Sequence, residues 1–507
     1  MMSMTLEQIA QAVNGLLVLA PNSDVNQQPT NVVIDSRIAK EGTLFVAIRG
    51  EHSDGHDYVA DLGKTGAIAA ITDHEIAESS VAQIVVENTV TALGDLARRN
   101  LQMRREQPEE FSIIGITGSV GKTTTKDLLH ALLSELGETV APVGSFNNEL
   151  GLPLTALKVG PTTRFLIAEM GANHVGEIAK LTKIAPPDVS VVLKVGTAHL
   201  GEFGSVERIA QAKSEIVLGE RAQGMTVLNA DDPHVAAMDA LAPGMVTWFG
   251  MEHAAEHDAF VSADHVHMDE TGHAVFTLRQ TDGAYQQVRL GIPGEHNVMN
   301  ALAATAVAEY YGLPLRSIVQ VLENVRSISP HRMEEHVVAR EGKPEFMLID
   351  DSFNANPDSM RAGINGLMAF NAAKPMTRIA ILGAMLELGD NEHELHKAIG
   401  RYAREQGVDA VIAVGNIQDA HLMDLAAHLA QGVEEVSEEA SEAAEAVEAA
   451  APEVAVASSI DEAEQMLDAI ATSRESSPDA SNTVVLLKGS HASGLASLAE
   501  RWAEHFR

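Results

Sequence analysis

The chain has 507 residues, of which 35 are basic and 71 are acidic, and its formal net charge is −36 at pH 7. This charge disfavours a nucleic-acid scaffold and a protein that binds anionic lipids, but it allows a local nucleotide site. The absence of cysteine excludes disulfides, thiolate metal ligands and a cysteine nucleophile. A chain of this length needs several domains, and oxygen or imidazole ligands must hold any metal ion.

The first part of the chain, to about residue 87, alternates short apolar strands with helical patterns, which predicts a small α/β domain. Residues 1–21 have no basic segment and only a short apolar run, so we expect an amphipathic helix rather than a secretion signal. Because no stretch of about 18 apolar residues occurs, we expect no membrane span and a cytoplasmic protein. The composition of two polar clusters, at 35–37 and 54–57, favours ordinary turns.

The stretch from Phe111 to Thr125 predicts a phosphate-binding loop between a strand and a helix. An apolar β-branched run leads into a glycine turn, and leucines at helical spacing follow it. The backbone N–H groups and the helix dipole at such a turn bind phosphate. Lys122 would supply charge to the outer phosphates, and Thr123 would offer a hydroxyl to magnesium. The predicted nucleotide contacts are Gly118, Ser119, Val120, Gly121, Lys122, Thr123 and Thr124.

The spacing of this loop departs from the common P-loop pattern, because Ile116 stands where that pattern has glycine. A glycine-rich turn that only closes a strand onto a helix is therefore the structural alternative. The strand before the turn and the helix after it favour a site for ATP or GTP.

From about residue 109 to 326, strands alternate with helices, which predicts a parallel sheet with helices on both faces. In such sheets, ligands bind at the carboxyl ends of the strands. Glu169 follows one strand, where a P-loop protein often places a carboxylate for magnesium. His199 follows another strand, although a single histidine there is more often a turn or core residue. Lys213 lies in a predicted helix and by itself favours a solvent-facing position.

Beyond Pro330, new strands and helices predict a third α/β domain. The alanine- and glutamate-rich segment at about 432–452 predicts an exposed helix or a disordered acidic insertion without chemistry. The expected fold is thus α/β in three parts, with a small N-terminal domain, a central P-loop-type domain with a parallel sheet, and a Rossmann-like C-terminal domain. Their expected limits are residues 1–87, 88–327 and 328–507.

Several motifs follow one another in an order that is typical of one enzyme family. They are TGSVGKTTT at 117–125, AEMGANHVGEI at 168–178, GTAHLGEFGS at 196–205, AKSEI at 212–216, NADDP at 229–233, GEHNVMNALAA at 294–304, PHRME at 330–334 and DDSFNANPDSM at 350–360. Together they resemble the ATP-dependent Mur ligases of peptidoglycan precursor synthesis, and the resemblance spans nearly the whole chain. The second and last motifs favour the branch that adds D-alanyl-D-alanine to UDP-N-acetylmuramoyl-tripeptide.

The resemblance implies an amide ligase that phosphorylates a substrate carboxylate with ATP and then lets an amine attack the acyl phosphate. It implies ATP and two Mg²⁺ ions, with Thr123 near one ion and Glu169 and His199 near the other. Lys213 matches a lysine that these enzymes carry as a carbamate, which supports the metal site. The catalytic candidates are Lys122, His199, Lys213 and Arg332.

The resemblance also assigns contacts outside the phosphate loop. Asn297 matches a residue that reaches the adenine, Arg332 one that closes on the γ-phosphate, and Asp351 one that contacts the ribose. The residues assigned to the UDP-linked substrate are Ser36, Arg37, Asn147 and Asn148. The expected partners are the muramoyl tripeptide and D-alanyl-D-alanine, without nucleic acid, and the chain is expected to be a monomer.

Three segments depart from the family pattern near the nucleotide. Lys194 replaces a frequent Asn, Ala384 replaces an Asp, and residues 488–495 lack an arginine. Two alternatives remain open. One is a related Mur or folylpolyglutamate-type ligase that uses another amine, and the UDP contacts at 35–37 argue against the folate type. The other is a P-loop nucleotide switch, whose ATP turnover would not depend on an added amine.

Overall fold

The computed structural model describes nine stretches of the chain, namely residues 1–21, 23–50, 53–198, 200–257, 259–326, 329–370, 375–442, 453–475 and 482–506. Their helices and strands form three α/β units, each built on one sheet. Every helix in these stretches is too short or too polar to cross a bilayer. The α/β class and the three-part architecture expected from the sequence are confirmed.

The N-terminal unit holds a five-stranded sheet in the order β1-β5-β4-β3-β2, in which only β1 is antiparallel to its neighbour. The expected N-terminal helix is short, and the chain then enters a strand. Both polar clusters, at 35–37 and 54–57, begin 3₁₀ helices that an aspartate caps. The elements are α1 Leu6–Ala12, β1 Leu16–Val18, β2 Asn31–Val33, β3 Thr43–Val46, β4 Ala69–Thr72, β5 Ala82–Val85 and, leading out of the unit, α2 Thr89–Arg105.

The central unit holds a nine-stranded sheet in the order β14-β13-β12-β11-β10-β9-β6-β8-β7. The strands from β6 to β12 are parallel, and β13 and β14 add an antiparallel edge that the sequence did not predict. The elements are β6 Ser112–Thr117, α3 Lys122–Ser134, β7 Thr139–Val140, α4 Gly151–Ala156, β8 Phe165–Glu169, α5 Glu177–Ile184, β9 Val189–Val192, α6 Leu200–Phe203, α7 Val206–Leu218, β10 Met225–Asn229, α8 Pro233–Ala236, β11 Met245–Gly250, β12 Val261–Met268, β13 His273–Gln280, β14 Tyr285–Pro293, α9 Asn297–Tyr310 and α10 Leu315–Asn324.

The C-terminal unit holds a six-stranded sheet in the order β15-β16-β20-β17-β18-β19, in which β15 alone is antiparallel. Its elements are β15 Glu334–Val338, β16 Phe346–Asp350, α11 Pro357–Ala369, β17 Thr377–Gly383, α12 Glu392–Glu405, β18 Ala410–Val414, α13 Ala420–Glu442, β19 Glu453–Ala457, α14 Ile460–Glu475, β20 Thr483–Lys488 and α15 Leu495–Ala503.

The acidic segment expected at 432–452 begins inside α13. Val433 is buried, and a Cβ atom added at Gly432 would lie 2.0 Å from the carbonyl oxygen of Lys397 in α12. The first turn of the segment therefore packs against the domain, because only glycine allows the two helices to approach so closely. Residues 443–452 lie outside the described part of the chain.

Strand β6 explains how the phosphate loop is held. Ile113 packs into the apolar cluster on one face of the sheet, whereas Ile114 and Ile116 pack into the cluster on the other face, together with leucines of α3. Each buried isoleucine or leucine contributes roughly 1.5–3 kcal/mol, so the strand and the helix that flank the loop are firmly fixed. The loop between them is presented at the carboxyl edge of the sheet.

Candidate active site

A cleft of about 1430 Å³ lies between the central and C-terminal units. Its central wall comes from the carboxyl ends of β6, β8, β9 and β10, and its other wall comes from loops after β16 and β20. The phosphate loop, Glu169, Lys213, Arg332 and Asp351 all line this space. The structure thus brings together catalytic and nucleotide candidates that lie more than 200 residues apart in the chain.

The phosphate loop has the backbone that a close approach to phosphate requires. Gly121 adopts φ 85°, and a Cβ atom there would lie 2.3 Å from the Asn300 amide oxygen, so only glycine fits. The hydroxyl of Ser119 accepts a hydrogen bond from the backbone N–H of Gly196 at 2.9 Å, which ties the loop to the segment that follows β9. The ammonium of Lys122 donates to the carbonyl oxygen of Gly118 at 2.6 Å. Burial lowers the pKa of Lys122, and the nearby Glu169 carboxylate opposes that shift.

Glu169 is the last residue of β8, and its side chain is buried. Its Oε1 atom accepts from the Asn147 amide at 2.9 Å and from the Thr123 hydroxyl at 3.4 Å. Its Oε2 atom is also buried, and no hydrogen-bond partner for it occurs among the described residues. A buried carboxylate oxygen without a hydrogen-bond partner lowers the stability of the folded state. A hydroxyl beside a carboxylate is a hard oxygen set, so Thr123 and Glu169 fit a magnesium ion.

Lys213 lies on α7 and is buried, so the solvent-facing position favoured by its sequence context is wrong. Its Nζ atom lies 5.8 Å from the centre of the Phe203 ring. Burial, and secondarily repulsion from Lys122, lower the pKa of Lys213 to about 7, while the Glu215 carboxylate opposes the shift. A large fraction of this amine is therefore neutral and nucleophilic near neutral pH. His199, the other candidate from this wall, lies outside the described residues, and its role stays a prediction.

Arg332 reaches across the cleft from the C-terminal unit. Its Nη2 atom donates to the Thr123 hydroxyl at 3.3 Å, and its guanidinium carbon lies 4.2 Å from the centre of the Phe353 ring. The residues on either side, His331 and Met333, both have positive φ angles, 61° and 54°. Such conformations cost roughly 1–3 kcal/mol each and concentrate at functional sites. The strained turn is held by an ion pair of 2.7 Å between His331 Nδ1 and Asp350 Oδ2, which raises the pKa of His331.

Two further nucleotide candidates line the cleft with their polar groups already engaged. Asp351 pairs with the buried ammonium of Lys488, which also donates to the carbonyl oxygen of Asn354 at 3.2 Å. Asn297 donates to the carbonyl oxygen of Pro293 at 2.6 Å and accepts from the Asn300 amide at 2.8 Å. Their contacts with the ribose and the adenine stay predictions.

The four candidates for the UDP-linked substrate fall in two places. Asn147 and Asn148 line the cleft, where Asn147 holds Glu169 and Asn148 accepts from the backbone N–H of Gly151 at 2.9 Å. Ser36 and Arg37 lie in the N-terminal unit and do not line the cleft. Arg37 is exposed and pairs with Asp35 at 2.7 Å. The structure therefore does not bring these four residues together, and their assignment stays a prediction.

Comparison with known proteins identifies the family of this chain. The family models described as "Mur ligase family, catalytic domain", "Mur ligase middle domain" and "Mur ligase, glutamate ligase domain" match residues 29–101, 116–308 and 331–491. A UDP-N-acetylmuramoyl-tripeptide–D-alanyl-D-alanine ligase of Mycobacterium tuberculosis is 39% identical over 435 residues, which cover 82% of this chain and 84% of the relative. The chain belongs to the Mur ligase family.

Solved structures agree with this membership of the Mur ligase family. A crystal structure of MurF from Acinetobacter baumannii has a TM-score of 0.81 and 31% identity and covers 99% of both chains. The structure of MurF from Thermotoga maritima in complex with ADP has a TM-score of 0.73 and 27% identity, with 94% of this chain and 97% of that chain covered. The fold of this Mur ligase is therefore shared along its whole length.

Some residues of this Mur ligase site were missed by reasoning from its sequence. Lys488 ends a strand and holds Asp351, and Asn300 accepts from the Thr125 hydroxyl at 3.3 Å beneath the phosphate loop. Asp358 accepts from the backbone N–H of Thr197 at 3.4 Å, which joins α11 to the central unit. Asp358 could have been found, because it shares a motif with Asp351. Asn300 also shares a motif with a predicted residue, Asn297, whereas a lysine at a strand end carries no such signal.

Proposed function

We propose that this protein is the ligase that joins D-alanyl-D-alanine to UDP-N-acetylmuramoyl-tripeptide, with conversion of ATP to ADP and phosphate. The reaction named for relatives that are 33% and 39% identical to this chain supports this choice of substrates. One observation carries the chemistry. Arg332 of the C-terminal unit contacts Thr123 of the phosphate loop, beside the unpaired carboxylate oxygen of Glu169. Positive charge and a metal-binding carboxylate thus meet where a γ-phosphate would lie.

The residues of the loop would bind the triphosphate of ATP through their backbone N–H groups at the start of α3. Lys122 and Arg332 would bring positive charge to its outer oxygens from opposite walls of the cleft. Magnesium, when bound at Thr123 and Glu169, supplies further positive charge for the phosphate oxygens. A peptide carboxylate can then approach a group that would otherwise repel it.

The proposed reaction has two steps. A carboxylate oxygen of the tripeptide bonds to the γ-phosphorus while the bond from that phosphorus to the β–γ bridging oxygen breaks, and ADP leaves. The amine of D-alanyl-D-alanine then attacks the acyl carbon, loses a proton, and expels inorganic phosphate from a tetrahedral intermediate. The closed cleft would exclude water from the acyl phosphate, because Arg332 and Asp358 bring the third unit against the central one.

The remaining assignments are part of the same proposal. Lys213 would be a carbamate, His199 would be a metal ligand for a second Mg²⁺, and Ser36, Arg37, Asn147 and Asn148 would contact the UDP-linked substrate. Asn297 and Asp351 would contact the adenosine of ATP. The domains would span residues 1–87, 88–327 and 328–507, and one sheet lies within each range. We also infer that the protein is cytoplasmic, because ATP and UDP-linked precursors occur in the cytoplasm, and we propose that it is a monomer.

The test is a panel of acceptors and amines analysed by mass spectrometry of the product. The proposal predicts that the UDP-linked tripeptide gains one D-alanyl-D-alanine unit, and that ADP forms only when acceptor and dipeptide are both present. Formation of product with a single amino acid or with a folate acceptor would favour a related ligase. A rate of ATP hydrolysis that does not depend on the added amine would favour a nucleotide switch. Either of these results contradicts the proposal.

A further inference from the structure

Lys126 lies on α3, three residues after Thr123, and its side chain is buried, which is rare for lysine. Its Nζ atom donates to the carbonyl oxygens of Pro142 and Gly144 at 3.1 and 3.2 Å. It also donates to the Ser329 hydroxyl at 2.9 Å. Because an ammonium has three N–H groups, all three are engaged by segments outside α3. Lys126 does not line the cleft.

Asp127, the next residue of α3, holds one of the same segments through its backbone. Its Oδ2 atom accepts from the backbone N–H of Ser329 at 2.8 Å, and its Oδ1 atom lies 2.8 Å from Lys126 Nζ. Ser329 is therefore bound through its side chain and its backbone by two successive residues of α3. Hydrogen bonds that involve an ionised group are roughly twice as strong as neutral ones, so this attachment is firm.

The segment that is attached at Ser329 leads directly to Arg332. Three residues of chain span at most about 10 Å, so the attachment restricts where the Arg332 guanidinium can lie. That guanidinium donates to the Thr123 hydroxyl at 3.3 Å. Burial lowers the pKa of Arg332, and the Asp127 carboxylate is one of the negative charges that oppose this shift. Both partners of the contact between Arg332 and Thr123 are thus positioned by α3.

The loop that contains Pro142 and Gly144 leads to a second part of the candidate site. Three residues beyond Gly144, the Asn147 amide donates to Glu169 Oε1 at 2.9 Å. Lys126 therefore connects α3 both to the loop that orients the Glu169 carboxylate and to the segment that carries the Arg332 guanidinium.

Burial of a cation is not by itself a sign of function, as Arg104 shows. Arg104 is buried and donates to the carbonyl oxygens of Thr163, Glu109 and Glu110 at 2.9, 3.0 and 3.0 Å. None of these four residues lines the cleft. Lys126 differs because the segments that it binds lead into the candidate site, so Arg104 provides a matched control.

We propose that Lys126, together with Asp127, is a positioning residue for phosphoryl transfer. Its hydrogen bonds fix the Arg332 guanidinium against the phosphate loop and support the contact between Asn147 and Glu169. The loop binds nucleotide through its own backbone N–H groups, so loss of Lys126 should weaken contacts with the γ-phosphate more than contacts with ADP. This inference rests on the proposed function, in which Arg332 brings positive charge to the γ-phosphate.

The test compares Lys126→Met, Ser329→Ala and Arg104→Met in the full chain. Two quantities are measured with magnesium present, namely kcat for ligation and the ratio of the affinities for a nonhydrolysable ATP analogue and for ADP. Lys126→Met should lower kcat at least about tenfold and shift the affinity ratio towards ADP. Ser329 is half-buried, so Ser329→Ala should keep the fold and lower kcat about threefold. Arg104→Met should lower the unfolding temperature and leave both quantities unchanged.

A combination with Arg332→Lys tests whether Lys126 acts through Arg332. In that background, Lys126→Met should lower kcat by a smaller factor than it does alone, because both changes disturb one contact. Circular dichroism and elution volume show which variants are folded, and Ser329→Ala replaces Lys126→Met in every comparison if the latter does not fold. The proposal is overturned if the folded variants keep the original kcat and affinity ratio. It is also overturned if the losses with Arg332→Lys are fully multiplicative, or if Arg104→Met has the same effect as Lys126→Met.

The two measurements separate this inference from the proposed function. An original chain that does not ligate D-alanyl-D-alanine contradicts the proposed function, whereas the affinity ratio of the variants still decides the role of Lys126. An original chain that ligates the dipeptide, with variants of unchanged kcat and affinity ratio, contradicts only the inference. An original chain that binds no nucleotide contradicts both.

Discussion

Arg332 donates a hydrogen bond to the hydroxyl of Thr123 at 3.3 Å, although the two residues belong to different sheets and lie 209 positions apart. Thr123 also lies 3.4 Å from the Glu169 carboxylate. The guanidinium, the hydroxyl and the carboxylate therefore form one polar contact between the central and C-terminal units. This contact exists only when the two units are together, so domain closure and the proposed phosphoryl transfer would be linked.

Replacing Arg332 with lysine should lower kcat by roughly 10²–10³-fold, with the protein still folded. Lysine keeps the positive charge but loses the planar group that stacks on Phe353 and reaches Thr123. Steady-state phosphate release at saturating ATP measures the effect. Arg361→Lys is the matched control, because Arg361 stacks on Tyr402 at 4.5 Å but does not line the cleft. Equal kcat values for the two variants would show that Arg332 does not take part in the reaction.

Activity should depend on carbon dioxide if Lys213 is a carbamate. The neutral amine attacks CO₂, forms an N–C bond and releases a proton, so the reaction requires the unprotonated lysine. Because the pKa of Lys213 is lowered to about 7, activation by bicarbonate should increase as the pH rises through about 7. The measurement is ligase activity of CO₂-depleted enzyme before and after bicarbonate, at several pH values.

Two lysine variants test whether activation by bicarbonate depends on Lys213. Lys213→Ala should lose about 10–100-fold in activity and show no bicarbonate response. Lys183→Ala, a change at an exposed lysine on α5, should behave as the original enzyme does. A bicarbonate response that survives in Lys213→Ala would show that the carbamate forms elsewhere or does not form.

The sequence predicted the parts of the site that have a local signature. The loop with Gly118 and Gly121 and the carboxylate at the end of β8 were found, because glycine turns and strand ends are visible in a short window. The burial of Lys213 was not visible from its polar neighbours. Its Nζ atom lies 5.8 Å from the centre of the Phe203 ring on the short helix α6. The helical spacing of Ile209, Lys213 and Ile216 places this lysine on the apolar side of α7, and that spacing is the signal that could have predicted its burial.

The strands β12, β13 and β14 were missed for a related reason. Their mixed polar and apolar composition reflects a sheet edge that is partly exposed, as the alternating burial of Val261–Met268 shows. The buried strands β6 and β8, in contrast, are continuous apolar runs, and the sequence predicted a strand before the glycine turn and another before Glu169. The contact of Lys488 with Asp351 joins the ends of two strands that are far apart in the chain, so no local sequence pattern predicts it.

Lys488→Met should destabilise the C-terminal unit by about 3 kcal/mol, because it leaves the mostly buried Asp351 carboxylate without its partner. The affinity for ADP should also fall, since Asp351 lines the cleft in which we propose that the nucleotide binds. Urea unfolding and ADP titration measure the two effects. Lys343→Met, which removes a half-exposed partner of Asp468, should cost less than about 1 kcal/mol. Equal decreases in the free energy of unfolding for Lys488→Met and Lys343→Met would contradict a larger contribution of the buried pair between Lys488 and Asp351.

The stability of the protein should fall in mild acid through His396. This side chain accepts from the backbone N–H of Met385 at 2.9 Å through Nε2, and its Nδ1 atom lies 2.7 Å from the carbonyl oxygen of Glu392, so the neutral ring is required. Burial lowers the pKa of His396 to about 4, whereas the unfolded value is about 6.5. The unfolded chain therefore binds one more proton between these pH values, and folding free energy is lost as the pH falls.

The expected loss through His396 is about 3 kcal/mol between pH 6.5 and pH 4. It is measured as the difference in the pH dependence of urea unfolding between the original chain and His396→Gln, with chelator present. His130→Gln, a change at an exposed histidine of α3, should keep the original pH dependence. Parallel curves for the original chain and His396→Gln would show that this histidine does not titrate in the way described.

Transfer of oxygen from the peptide to phosphate tests the acyl phosphate most directly. UDP-N-acetylmuramoyl-tripeptide labelled with ¹⁸O in its terminal carboxylate is incubated with ATP, D-alanyl-D-alanine and the enzyme, and the released phosphate is analysed by mass spectrometry. Phosphorylation of the carboxylate predicts that each phosphate carries one oxygen atom from the peptide. Phosphate without the label, formed alongside the amide product, would contradict this mechanism.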